Sequence, residues 1–189
     1  MTRSLFKWLR GLIADRRGTV MVEFAIIMPI LMFVMLAGVD LVRFAMLQQK
    51  LNRAAVSMAD MVSQYDSIST TQIDQIFLAM EHVIAPFQMG SSGRVIVSSI
   101  SRVDATDPVL VDWQRAGAGT ATATSNFGTP GNNATLPAGF TVAAGESVIV
   151  AEVFYDFVPL MFEFVLPSRR IEHSSLFRPR FGTLSTLSP

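Results

Sequence analysis

The 189-residue chain is half hydrophobic and only 16% charged, with a mean hydropathy of +0.42 and a formal net charge of zero. It has no cysteine, which excludes disulfides, thiol nucleophiles and Cys-ligated metal sites, and its two histidines, His82 and His173, are too far apart in sequence to suggest a His-rich metal centre. The charge balance hides a split: residues 1–17 carry Arg3, Lys7, Arg10, Arg16 and Arg17 against Asp15, a net +4, leaving −4 on the rest, where a nucleic-acid binder would show a basic body.

The apolar excess sits between Thr19 and Val39, TVMVEFAIIMPILMFVMLAGV, 21 residues with one charge, Glu23. As a helix this stretch covers about 31 Å, the depth of a bilayer's hydrocarbon core. Acidic residues interrupt the next most apolar stretches, 68–87 and 148–166, so one span is expected. The basic flank keeps residues 1–17 in the cytoplasm and places residues 40–189 across the membrane, in a bacterial periplasm. The rival readings are a buried core helix and a secretory signal peptide; against the latter stand the length of the apolar stretch and the want of an A-x-A-type site close behind it.

A carboxylate at the centre of a span costs roughly 2.5–3.5 kcal/mol, less near the interface, so Glu23 calls for a partner. Gly18 lies at the junction of charged and apolar stretches, where a membrane-embedded peptidase can reach a flexible backbone. Cleavage after Gly18 would leave an amino group on Thr19, little more than a turn from Glu23. Within one chain such a pair is weak, whereas between staggered neighbours in low dielectric it neutralises both charges and sets register. Pro29 deprives the Ala25 carbonyl of its helical partner and predicts a kink, the alternative being a proline that the membrane helix merely tolerates.

Arg16-Arg17-Gly18 followed by Thr19-Val20-Met21-Val22-Glu23-Phe24-Ala25 and an apolar stretch with Pro29 resembles the prepilin junction of the TadE-like pseudopilins of tight adherence (Flp-type) pilus systems. Gly38-Val39-Asp40, Arg43 and Ala54-Ala55 are similar to the same family, and the resemblance is strong over residues 16–65. Beyond that only Glu152 to Phe157 and Pro159-Leu160 look like its strand-rich tail. The resemblance implies that Gly18 ends a leader bearing the Arg16 and Arg17 charges and that Thr19 is the mature N-terminus. It also implies that Glu23, beside Phe24, serves peptidase recognition or assembly. The implied partners are a prepilin peptidase, other pilins and pseudopilins, inner-membrane pilus platform proteins and membrane lipid, with no cofactor and no nucleic acid.

After Asp40 the helix is expected to continue as a stem to about Tyr65, since LVRFAMLQQKLNRAAVSMADMVSQY lacks Gly and Pro. Phe44, Leu47, Leu51, Ala54, Met58, Met61 and Tyr65, alternately three and four apart, form a seam for either an intramolecular core or a partner helix. Ser69-Thr70-Thr71-Gln72 caps a second helix over about 72–84, with Asp74 in its first turn and Pro86 beyond its end. Residues 94–101 and 109–114 read as a hairpin, 116–137 as a long, mobile, exposed loop, 147–158 as the best strand, and 171 to 177 or 180 as a returning edge strand. Between the last two, Pro159 to Pro167 is apolar, and a short helix, a lean on the membrane and contact with a partner remain open.

Asp104, Asp107 and Asp112 lack the loop of a calcium site and read as a solvated turn. Glu152, Asp156 and Glu163 lack a polarising neighbour for acid–base work. Arg169, Arg170, Arg178 and Arg180 give a basic tail suited to acidic subunits, lipid headgroups or plain solvation. His82 reads as a helix residue without a role, and Asn133-Ala134-Thr135 as a chance sequon. The expected architecture is α+β: a leader at 1–18, a transmembrane helix at 19–39, an amphipathic stem at 40–66, and a small pilin-like antiparallel-sheet head at 67–189. The expected function is a non-enzymatic minor subunit of a pilus machine. The alternative is an uncleaved single-span anchor with a structural or binding domain in an envelope complex.

Overall fold

The computed structural model describes residues 18–189; the expectations for the leader, including Arg16 and Arg17, lie outside the described residues. Helix α1 runs unbroken from Thr19 to Ser63, 45 residues and so about 68 Å, passing through Pro29. From residue 18 to 35 every side chain is exposed, and burial sets in only from Ala37. A short β1 (Ile68–Ser69) leads into α2 (Thr70–Ile84). There Ser69 Oγ accepts the Gln72 N–H at 3.3 Å and Gln72 Oε1 accepts the Ser69 N–H at 2.8 Å, a reciprocal capping box. The cap starts the helix at Thr70 rather than Gln72, which moves Asp74 out of the first turn.

Strands β2 (Gly93–Arg102), β3 (Leu110–Gly117), β4 (Glu146–Phe157) and β5 (Arg169–Phe177) form an antiparallel sheet in the order β3-β2-β4-β5. A final β6 (Leu187–Ser188) pairs in parallel with β1. β4 is buried on both faces by alternation. Ile149, Ala151, Val153 and Phe157 meet the helices, while Val148 and Val150 meet a second cluster with Phe127 and Val142. In β3 the register slips opposite Ser99/Ile100, leaving Asp112 unpaired. Val111 and Trp113, two apart, thereby join opposite clusters. The Asp112 carboxylate turns onto Ser101 Oγ at 2.8 Å and Ser99 Oγ at 3.4 Å.

The stem packs on β4, β5 and α2, and the expected seam drifts. Leu47, Leu51, Ala54 and Met58 are buried and Phe44 and Tyr65 are partly buried, but Met61 is 38% exposed while Ala55, Ala59 and Val62 are buried in its place. A seam spaced alternately three and four assumes 3.5 residues per turn. A straight helix at 3.6 slips about 20° per heptad, enough after two heptads to carry Met61 out of the contact and bring Val62 in.

The 116–137 segment is largely coil, as its composition predicts, but it is tied along the sheet rather than free. Val111 N–H donates to the Asn132 carbonyl at 3.0 Å, Ala134 N–H to Val109 at 2.8 Å and Thr135 N–H to Phe127 at 2.9 Å, with Ala121 and Phe127 buried. The ring of Phe127, not visible as a core residue in a Gly/Thr/Asn-rich stretch, is what covers the outer face of β4.

Candidate functional site: the head of the membrane helix and its junction

Gly18 is the N-cap of α1, at φ −86° and ψ −9°, an ordinary right-handed conformation with no side-chain cap. Among the described residues a Cβ placed on it would meet nothing within 4 Å, so the described part of the fold makes no demand for glycine there. Thr19 opens the helix, and Glu23, four residues on, shares its face. Phe24 is 62% exposed, as are most of the apolar side chains that follow it. This helix is long and apolar enough to cross a membrane. The geometry therefore sets the Thr19 backbone nitrogen and the Glu23 carboxylate near one end of a bare apolar rod, both open to a neighbour.

Asp40 marks where the rod meets the head, and sequence reasoning gave it no role beyond the family pattern. It is only 2% exposed. Its carboxylate accepts three successive backbone N–H groups from the β4–β5 loop: Leu160 at 2.8 Å, Met161 at 3.0 Å and Phe162 at 3.3 Å. These bonds, led by that from Leu160 and helped by Arg43 with Nη1 at 3.6 Å, hold its pKa below the usual carboxylate value against the opposing effect of desolvation. The hint in the sequence was an acid directly after the apolar stretch; its partners, 120 residues away, carry no pattern that reveals the contact. The Arg43 guanidinium also lies 6.0 Å from the Phe87 and Phe157 ring centroids, and Arg169 stands over Phe44 at 4.3 Å.

The other acids serve the head. Glu152, 1% exposed, accepts from the Ser125 hydroxyl and from the Asn126 N–H at 2.9 Å, pinning the long loop to β4. Burial pushes its pKa up, only partly offset by these hydrogen bonds. It lines a polar cleft of about 160 Å³ with Glu172 and His173, and the His173 ring meets Gln48 Oε1 of the stem at 2.5 Å. Desolvation lowers the His173 pKa. Of the C-terminal arginines, Arg170 pairs with Asp156 at 2.7 Å and Arg178 with Glu146 at 3.0 Å within the head, while Arg180 pairs with Asp60 of the stem at 3.0 Å.

Residues 18–59 match the family model described as TadE-like protein. No curated relative and no solved structure matches the chain. The match opens on Gly18, takes in the whole exposed rod with Glu23 and Pro29, and ends inside the buried part of the stem. Over residues 18–59 the chain is thus similar to the TadE-like family.

Proposed function

We propose that the chain is a pseudopilin-like minor subunit of a tight adherence (Flp-type) pilus assembly system, inserted once in the inner membrane with its head in the periplasm. On this reading a prepilin peptidase removes the leader after Gly18. The observation that carries it is the coincidence of three boundaries within three consecutive residues: the basic flank ends at Arg17, the family match begins at Gly18, and the helix begins at Thr19. The open space around Gly18 among the described residues supports it further, because a glycine that this part of the fold does not need fits a scissile bond that a peptidase must reach. The role is structural rather than catalytic: the buried acids described above bind the chain's own backbone and hydroxyl groups. Partners on this reading are the peptidase, other pilins and the membrane platform.

Glu23 tests the assembly part. Glu23→Gln keeps shape and removes charge, so the chain should still insert while failing to complement pilus formation in a strain lacking the wild-type copy. Full complementation by Glu23→Gln contradicts a role for the charge in register. Loss of cleavage with normal association of a pre-trimmed form assigns the carboxylate to the peptidase instead. A reporter fused after Pro189 should be active only in the periplasm, and cytoplasmic activity rejects the topology.

A further inference from the structure

The β4–β5 loop has an unusual surface for a segment that is meant to face water. Leu160 is 61% exposed, Met161 55% and Phe164 75%, with Val158 and Val165 exposed beside them. Two rings of the loop lie against the membrane helix, while the aliphatic side chains around them stay open. The ring of Phe33 stacks on Phe164 with centroids 5.6 Å apart and meets Phe162 at 4.6 Å. Phe33 lies six residues inside the apolar stretch that ends at Val39, about 9 Å along the helix axis. If residues 19–39 cross the bilayer, the loop's aromatic rings are therefore below its surface.

Backbone polarity would ordinarily forbid this, since N–H groups without water or a partner are costly in hydrocarbon. Here the three N–H groups of residues 160–162 are satisfied by Asp40, the carboxylate that itself stands at the membrane end of the stem. The carboxylate and the amides relieve each other of water at one level, and the apolar side chains project past them. Basic groups flank the loop at Arg43 on the stem and at Arg169 and Arg170 where β5 begins. Glu163 is the loop's one charge; it is exposed, and its cost falls toward the interface.

We propose that residues 158–165 form a membrane-inserted loop that sinks its apolar side chains into the periplasmic leaflet beside α1, to the 5–10 Å depth of interfacial segments. The head is then held to the bilayer at two points, the span and the loop, which fixes its tilt relative to the membrane. The proposal rests on the single-span reading of residues 19–39, and its occupant is lipid.

The absence of native cysteines allows single-site labelling of the full chain. Met28→Cys, Phe164→Cys and Thr129→Cys are each labelled with nitrobenzoxadiazole and reconstituted in vesicles of phosphatidylethanolamine and phosphatidylglycerol. The vesicles carry nitroxides on the headgroup or along the acyl chain. Leu160→Cys stands in for Phe164→Cys if loss of the Phe33 stack impairs folding. Label on the loop should emit blue-shifted and be quenched most by shallow nitroxides, label at Met28 by deep ones, and label at Thr129 by neither. Quenching at Met28 without quenching on the loop overturns the proposal and leaves the span intact. A loop label shielded from aqueous iodide yet untouched by lipid nitroxides shows a protein cover, a second copy or another subunit, and also overturns it. No quenching at Met28 removes the span and the proposal together.

Discussion

Met61 and Val62 are adjacent on the stem, and the two ways of reading its seam make opposite demands of them. Val62 is fully buried against the helix-side core and Met61 is 38% exposed. Val62→Ala removes two methyl-sized groups at about 0.8 kcal/mol each, with a further loss from the unfilled space, and regains up to about 0.7 kcal/mol from alanine's helix propensity. The net destabilisation should be about 1–2.5 kcal/mol. Met61→Ala, though it deletes more atoms, should cost less than about 1 kcal/mol because much of that side chain is already in solvent. Urea unfolding of the detergent-solubilised chain reads both. With Trp8→Phe as background, the remaining tryptophan is Trp113, whose Nε1 donates to the Leu184 carbonyl at 2.7 Å from a site only 7% exposed. With a urea slope of about 1–3 kcal/mol/M, the Val62→Ala midpoint should fall on the order of 1 M with the slope unchanged. A larger loss for Met61→Ala than for Val62→Ala would refute the packing argument.

Further outcomes are expected at four residues. Glu152→Ala should destabilise the head by about 1–3 kcal/mol, because the Ser125 hydroxyl and the Asn126 N–H lose their acceptor, whereas Glu152→Gln should be close to neutral. Since the folded pKa of Glu152 is raised, its charge penalty is absent below the ordinary glutamate value of 4.5 and grows as pH rises through the folded value. Stability profiles of wild type and Glu152→Gln should therefore diverge with rising pH, with the variant gaining. His173 acts at the other end, since its lowered pKa gives stability that is present above the ordinary histidine value of 6.5 and lost as pH falls through the folded value; His173→Gln should flatten that acid limb. Gly117→Ala should cost about 1–3 kcal/mol by thermal unfolding, since the added Cβ overlaps the buried Phe77 ring. Asp40→Ala should speed amide hydrogen exchange at 160–162 in particular, and unchanged protection there would contradict the clamp.

What was legible in the sequence was whatever a short window specifies. A run of apolar residues spells the rod, Ser69 and Gln72 spell a cap, and the β-branched runs at 94–101 and 147–158 spell the two central strands. The long-range contacts were not legible. Asp40 meets backbone N–H groups, which every residue but proline possesses, so nothing in the composition of residues 160–162 announces the bond. The two-residue pairing of β1 with β6 is too short to leave a period. The bulge at Asp112 reverses the faces of Val111 and Trp113 by one unpaired residue, which an alternating pattern cannot foresee. Glu152 was visible as an acid on an apolar strand, but only the return of Ser125 and Asn126 over that strand turns it into a clasp.

The central claim is that Gly18 is the last residue of a leader, and intact-mass analysis of the membrane-extracted protein from cells that contain the prepilin peptidase tests it most directly. The account predicts a chain that begins at Thr19, with or without a methyl group on its amine, and a Gly18→Val variant that keeps the leader while folding normally, since among the described residues position 18 has room for a side chain. A wild-type protein that retains residues 1–18 and still supports pilus assembly, with Gly18→Val silent, would contradict it and make the chain an uncleaved anchor.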